Sequence, residues 1–285
     1  MNIISNLNNG VGLQRDYELL REALEGRGHH VHGIQFNAPR NLQNADVNIF
    51  LEVVVPGLFT LADKQWAIPN PEWWFVGWDA YVWDKILAKT RDCQRIFTEK
   101  VGDRCFYLGW EARDLYNPII MRQALFLHVA GKSKFKNTYA VIAGCKLAGV
   151  HLTLVAEHYG PHRRETNDVI AGLLNSHQFH LMPSAYEGYG QVLHEAMGCG
   201  QIVITTDAPP MNELYPVLLI PSVSQKFHHA GQLHTVSAEG VAAAIAQALQ
   251  LSADVVRSQS DWARQRFLQE KQTFHTNLNA LLEEL

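Results

Sequence analysis

The chain has 285 residues, 47% of them hydrophobic and 10% aromatic, which suits one large domain or two of about 120–160 residues with sizeable cores. A net charge of −4 and a pI near 6.4 leave no strong whole-molecule pull toward nucleic acid or anionic membranes. No apolar run reaches the ~18–20 residues of a spanning helix, so no stable membrane insertion is expected. The opening "MNIISNLNNGVG" has neither a basic n-region nor an apolar h-region, so no signal peptide is expected and the cytoplasm is the expected location. Cys93, Cys105, Cys145 and Cys199 are scattered without a CxxC pair, as free thiols of a reducing compartment would be. The fourteen histidines fall into no ligand spacing, and no metal site is expected.

The pattern alternates strand and helix. "NIIS" reads as a short strand, followed by a loop with Gly10 and Gly12. Leu13, Tyr17, Leu20 and Leu24 then recur at helical spacing until Gly26 and Gly28 stop the helix. "HHVHGIQF" and "DVNIFLEVVV" read as further strands, and this run argues for an open α/β sheet. Residues 66–84 hold five of the seven tryptophans, interrupted by proline and glycine, so no regular helix is expected there. Trp73, Trp74, Trp78 and Trp83 are read either as a stacking wall for a sugar or base or as core. "KILAKTRDCQRIFTEK" looks like a helix leading into a strand, and "CFYLGWEARDLY" like a strand with a polar exit.

Near residue 120 the pattern restarts. "ALFLHVAG", "HLTLVAE", "FHLMPS" and "QIVITTD" read as strands, with helices at "TYAVIAGCKLAG" and "RETNDVIAGLLNSH". Ala263, Phe267, Phe274, Leu278 and Leu281 follow one face of a C-terminal helix over 254–285. The expected organisation is two α/β domains in series, residues 1–120 and 121–285, packed across a cleft.

The chemistry concentrates in "YEGYGQVLHEAMGCG", residues 186–200. The loop leaves a strand end, where open α/β sheets bind ligands, and a helix starts near Gly190, whose free N–H groups suit a phosphate. Gly188 and Gly190 allow close backbone approach. Glu187 in the turn can accept hydrogen bonds from sugar hydroxyls. Glu195, in the helix beyond the first turn, can take both hydroxyls of a ribose. The spacing fits a diphosphate flanked by two polyols; it equally fits two solvated glutamates near a turn. His194 is assigned no chemistry and is expected to pack the helix.

"PSAYEGYGQVLHEAMGCGQIVITTDAPPMNEL", residues 183–214, resembles the signature of retaining glycosyltransferases of the glycogen-synthase-like and sucrose-synthase-like group, which have the GT-B fold of two Rossmann-like domains. Glu187, Gly188, Gly190, Glu195, Ala196 and Gly200 match in register. The wording here, in "PNPEWW" and in "GKSKFKNT" is similar to a small bacterial and phage subgroup. The resemblance implies that Glu187 is the catalytic glutamate at the donor sugar and that Glu195 holds the ribose. The backbone at Gly188, Tyr189 and Gly190 then meets the sugar and diphosphate. Lys132 stands where the family usually has an arginine on the diphosphate, and Lys136 matches its lysine; Lys132 cannot form the bidentate fork of an arginine. Lys134 is a spare. Gly10 and Gly12 match a glycine-rich loop facing the donor or acceptor. Where the family has a histidine facing the donor sugar, this chain has Asn70 and Glu72; they and Glu52 are sugar or acceptor candidates, with a structural turn an equal reading. Asn212 and Glu213 match an acidic turn, with Glu213 structural or donor-side. The terminal helix can cross back to the first domain in such folds.

The chain contains no DxD pair, in keeping with a donor neutralised by lysines and a helix dipole. No cofactor is expected beyond a nucleoside diphosphate sugar as co-substrate, with a UDP-sugar favoured. The implied reaction is hexose transfer, with retention, to an acceptor hydroxyl on a saccharide or lipid-linked glycan or on a hydroxymethylated DNA base; a phage-encoded chain would act in the host cytoplasm. Two other readings are a non-catalytic nucleotide-binding subunit and a dehydrogenase, the latter lacking the complete GxGxxG. Oligomeric state is not legible.

Overall fold

The computed structural model describes residues 1–8, 12–157, 166–214 and 218–285. Contacts divide the chain into two compact units. One comprises Met1–Glu111, His228–Gly231 and Gln272–Leu285, the other Ala112–Phe227 and Gln232–Lys271.

The first unit is built on β1 (Asn2–Ser5), α1 (Gly12–Glu25), β2 (His32–Gln35), β3 (Ala45–Leu51), β4 (Ala62–Ile68), β5 (Lys85–Ala88), α2 (Arg91–Val101) and β6 (Cys105–Tyr107). The strands form one parallel sheet in the order β2-β1-β3-β4-β5-β6. The order reverses direction between β1 and β3, which makes their carboxyl ends a topological switch point. "KILAKTRDCQRIFTEK" runs strand first, opposite to the order expected from sequence. Ile86, Leu87 and Ala88 are buried in succession, as in a sheet covered on both faces. Thr90 then starts α2 by accepting the Cys93 amide at 3.1 Å.

The tryptophan-rich segment enters as β4 and continues in 3₁₀ turns at Pro71–Trp73 and Val76–Ala80. Two of its tryptophans take the core reading. Trp74 and Trp83 are core residues, 1% exposed, with Trp74 edge-on to Phe97 at 5.0 Å and to Trp78 at 5.3 Å; such pairs contribute ~0.5–1.5 kcal/mol each beyond burial. Trp73 is 47% exposed.

The second unit contains β7 (Ala124–Gly131), α3 (Thr138–Ala148), β8 (Leu152–Ala156), α4 (Asn167–Ser176), β9 (His177–Met182), α5 (Gln191–Gly198), β10 (Ile202–Asp207), β11 (Leu218–Pro221), β12 (Ser224–His228), β13 (Gly231–Thr235), α6 (Ala238–Leu249) and α7 (Ala253–Leu282). Strands β11-β10-β9-β7-β8 form a parallel sheet, and β12 and β13 a separate ribbon. Phe126, Phe179, Leu181, Ile202 and Ile204 pack on Val141, Val241 and Ile245 of the helices. The order again reverses between β7 and β9, so the loops leaving those two strands flank the switch point. The helix α7 contributes residues through Lys271 to this unit and from Gln272 to the first. Among the described residues no helix is long and apolar enough to cross a membrane, and all four cysteines are buried free thiols.

Candidate active site

At the switch point of the second sheet, β9 ends at Met182, just before Pro183, which has no N–H to continue the ladder. The chain turns through Ser184–Gly190 into α5. Gly190 adopts φ +85°. A Cβ there would lie 3.0 Å from Leu193 Cδ1 and 3.4 Å from Glu187 Cγ, so both conformation and space select glycine. The loop after β7 is fastened to this turn. The Ala185 amide donates to the Phe135 carbonyl at 2.7 Å. Asn137, left-handed at the N-cap of α3, donates from Nδ2 to the carbonyls of Pro183 at 2.7 Å and His234 at 3.1 Å.

Two loops distant in sequence thereby bring Lys136 onto Glu187. The ammonium donates to Glu187 Oε1, which also accepts from the hydroxyl of the buried Ser184. The Glu187 and Lys136 side chains keep only 11% and 13% exposure. The carboxylate is thus aimed from the turn by a cation and a hydroxyl. Gly188 and Tyr189 are buried in the same turn. Lys132 is elsewhere, half-exposed at the end of β7 with its ammonium 3.9 Å from Glu157.

Glu195, on α5, is completely buried. Its Oε1 accepts from Arg113 Nε at 2.9 Å, and Arg113 Nη2 lies 2.9 Å from the same oxygen. Arg113 comes from the irregular segment between β6 and β7, and nothing in its local sequence announces the pairing. Ser184 stands inside the matched motif, and an asparagine directly before "TYAVIAG" is a helix N-cap signal that would have drawn attention to Asn137.

The first unit gathers its own polar group. Glu52 follows β3 with φ +67°, a conformation an L-residue holds only under constraint. Asn70, after β4, donates from Nδ2 to Glu52 Oε2. Burial pushes the Glu52 carboxyl up, and Lys89 partly counters it. Lys89 is itself buried, with its ammonium 2.8 Å from Asp16 Oδ2, whose other oxygen accepts from Trp110 Nε1 at 3.0 Å. Glu72 is buried in the following 3₁₀ turn. Gly12 opens α1, where an added Cβ would meet open space; Gly10 lies outside the described residues. Glu213 sits in a 3₁₀ turn after β10. Among the described residues no three His, Cys, Asp or Glu side chains cluster as a metal-binding group.

Residues 110–251 match the family model for glycosyl transferases group 1. The fold is that of solved structures aligned over nearly the whole chain. Sucrose-phosphate synthase from Thermosynechococcus elongatus aligns at a TM-score of 0.72 and 13% identity, covering 99% of this chain and 98% of that one. WaaG, a glycosyltransferase involved in lipopolysaccharide biosynthesis, aligns at 0.66 and 15%, covering 94% and 95%. The pneumococcal O-GlcNAc transferase GtfA, solved with UDP and GlcNAc, aligns at 0.60 and 16% over 85% of this chain and 57% of that one. The chain spans 55% to 60% of the longer chains it resembles. Among curated proteins none matches it by sequence. Two parallel α/β units of this topology define the GT-B fold class. Residues 110–251, just under half of the chain, are thus similar to the group 1 glycosyl transferases, and the chain has the fold of solved glycosyltransferases.

Proposed function

We propose that the chain transfers a hexose from a nucleoside diphosphate sugar, with UDP the favoured nucleotide, to a hydroxyl of a glycan acceptor, retaining anomeric configuration and working in the cytoplasm without a metal. The observation that carries this reading is Glu187, held by Lys136 and Ser184 at the switch point of the second sheet, one turn before α5. The first turn of a helix presents N–H donors to an anion, and Lys136 adds a positive charge in the same turn region through its pairing with Glu187. The diphosphate sits there, with the sugar on the Glu187 side. The ribose lies toward Glu195, which accepts its hydroxyls as the donor displaces Arg113 from one carboxylate oxygen. The helix start and Lys136 stabilise the departing diphosphate, and that diphosphate takes the acceptor proton. Glu52 and Asn70 are the acceptor-side candidates; Glu72, Gly12 and Lys132 act as secondary contacts.

A panel of nucleotide sugars in a thermal-shift assay tests the donor. Ligand at 100 times its Kd stabilises by about 2.7 kcal/mol, and the effective donor is then incubated with candidate acceptors and the product's anomeric configuration read by NMR. No stabilisation by any nucleoside diphosphate sugar would defeat the reading. Donor binding without transfer or hydrolysis would instead favour a non-catalytic nucleotide-binding subunit. A hydroxymethylated DNA acceptor would show itself by activity that falls steeply with salt.

A further inference from the structure

Lys136 and Glu187 are assigned above to different parts of the donor, yet here they hold each other. The Lys136 ammonium donates to Glu187 Oε1, and the Ser184 hydroxyl donates to the same oxygen. Two donors fill the lone pairs of one carboxylate oxygen. A hexose that sets neighbouring hydroxyls on the two oxygens of Glu187 finds one of them taken, and the ammonium has offset the charge that would strengthen those bonds. The pair is no solvated surface contact. The two side chains keep 11% and 13% exposure, and Ser184 is fully buried. Lys132 gives the contrast, half-exposed and 3.9 Å from Glu157.

The backbone on either side of Lys136 is fixed. The Phe135 carbonyl accepts the Ala185 amide at 2.7 Å. Asn137, at φ +46°, donates from Nδ2 to the Pro183 and His234 carbonyls at 2.7 and 3.1 Å. Residues 135–137 are thereby fastened to the turn that carries Glu187, so the ammonium can leave the carboxylate only by rotation of its own flexible stem. A diphosphate arriving at the start of α5 carries more negative charge than one carboxylate and competes for that ammonium.

We propose that Lys136 is a specificity-determining residue that covers Glu187 until a diphosphate draws its ammonium away, so that a hexose is recognised only when a diphosphate is bound beside it. The inference rests on the donor site proposed above. It makes hexose and diphosphate coupled ligands, each raising the affinity for the other by the same factor.

Ligand-observed NMR titration of the full chain with glucose, galactose and N-acetylglucosamine tests the coupling, each sugar alone, with saturating UDP and with saturating uridine. UDP is expected to raise the affinity for at least one of them by about tenfold, the worth of one hydrogen bond to a charged group. Uridine has no diphosphate and should leave it unchanged. Titrating UDP with and without that hexose should return the same factor, and the coupling should vanish in Glu187→Gln. Lys136→Met should bind the hexose without nucleotide about as tightly as the UDP-bound parent; a lysine that merely braces the turn would give no such gain. Parental affinity that is equal with and without UDP, undetectable with it, or raised as much by uridine overturns the proposal. So does coupling that survives Glu187→Gln, or a folded Lys136→Met that binds hexose no better than the parent. If Lys136→Met does not fold, the parental titrations decide alone. If UDP does not bind, the proposed donor site fails, and the hexose affinity of Lys136→Met against the parent still decides whether the lysine covers Glu187.

Discussion

The Arg113–Glu195 pair makes Glu195→Ala a stability experiment before it is a binding experiment. The carboxylate is completely buried, while the Arg113 side chain keeps 27% exposure. Removing one partner of a fully buried ion pair costs about 3–5 kcal/mol, because the other charge is left uncompensated. Partial exposure lets water reach the guanidinium, which lowers the expectation to about 2–3 kcal/mol. Urea unfolding of the full chain measures it, but six of the seven tryptophans lie in the first unit, so intrinsic fluorescence reports mainly the wrong half. Hydrogen exchange of the β9 and β10 amides isolates the second unit. Arg113→Met alone should be comparably damaging, since it strands a buried carboxylate, and combining it with Glu195→Gln should recover at least ~1 kcal/mol relative to the sum of the single changes. An alanine variant within ~0.5 kcal/mol of the parent, or strict additivity of the pair, would refute the reasoning. The ribose role is better tested with Glu195→Gln, which keeps the shape; its donor affinity should fall while the unit stays folded.

Three further outcomes are expected. Lys136→Met should weaken UDP and donor binding together, by about 10- to 100-fold for a charge-assisted contact, whereas Glu187→Gln should lower turnover more than nucleotide affinity; unchanged UDP inhibition in the first variant, or parental turnover in the second, contradicts the assigned roles. Gly190→Ala forces a side chain into φ +85° and against Leu193 and Glu187, and should cost about 1–2 kcal/mol with loss of donor binding, while Gly12→Ala, facing open space, serves as the near-neutral control in the same melts. Acid should destabilise the second unit. The pKa values of His128 and His180 are pushed down by burial to about 4 and about 3, so the unfolded chain binds protons first as pH falls below about 6.5. Their contribution is complete above that pH and is lost toward pH 4, amounting to about 3 kcal/mol for His128 alone. Unfolding midpoints that stay level from pH 7 to 4.5 would argue that neither ring is held neutral.

The two halves differ in how much of them could be read from residues alone, and the reason is where each contact's information resides. The turn at 183–200 was legible because its constraints are local. A proline ends the strand, a glycine holds a left-handed backbone, and two acids stand at a fixed spacing on either side of a helix start. Lys136 stood out only because the resemblance matched it to a diphosphate lysine; its contact with Glu187, 51 residues away, follows from no periodicity. Arg113 and Glu270 reach α5 from an irregular segment and from the far helix, and amphipathic patterning registers such residues merely as polar positions. The inverted order at 85–100 arose because "KILA" is too short to separate strand from helix by period, and the Thr90 cap was the available signal. His194 shows the same limit: its Nδ1 lies 3.0 Å from the Gly190 carbonyl, four residues back, and its Nε2 lies 3.0 Å from Glu270, 76 residues ahead, yet in sequence it is one more polar residue on a helix.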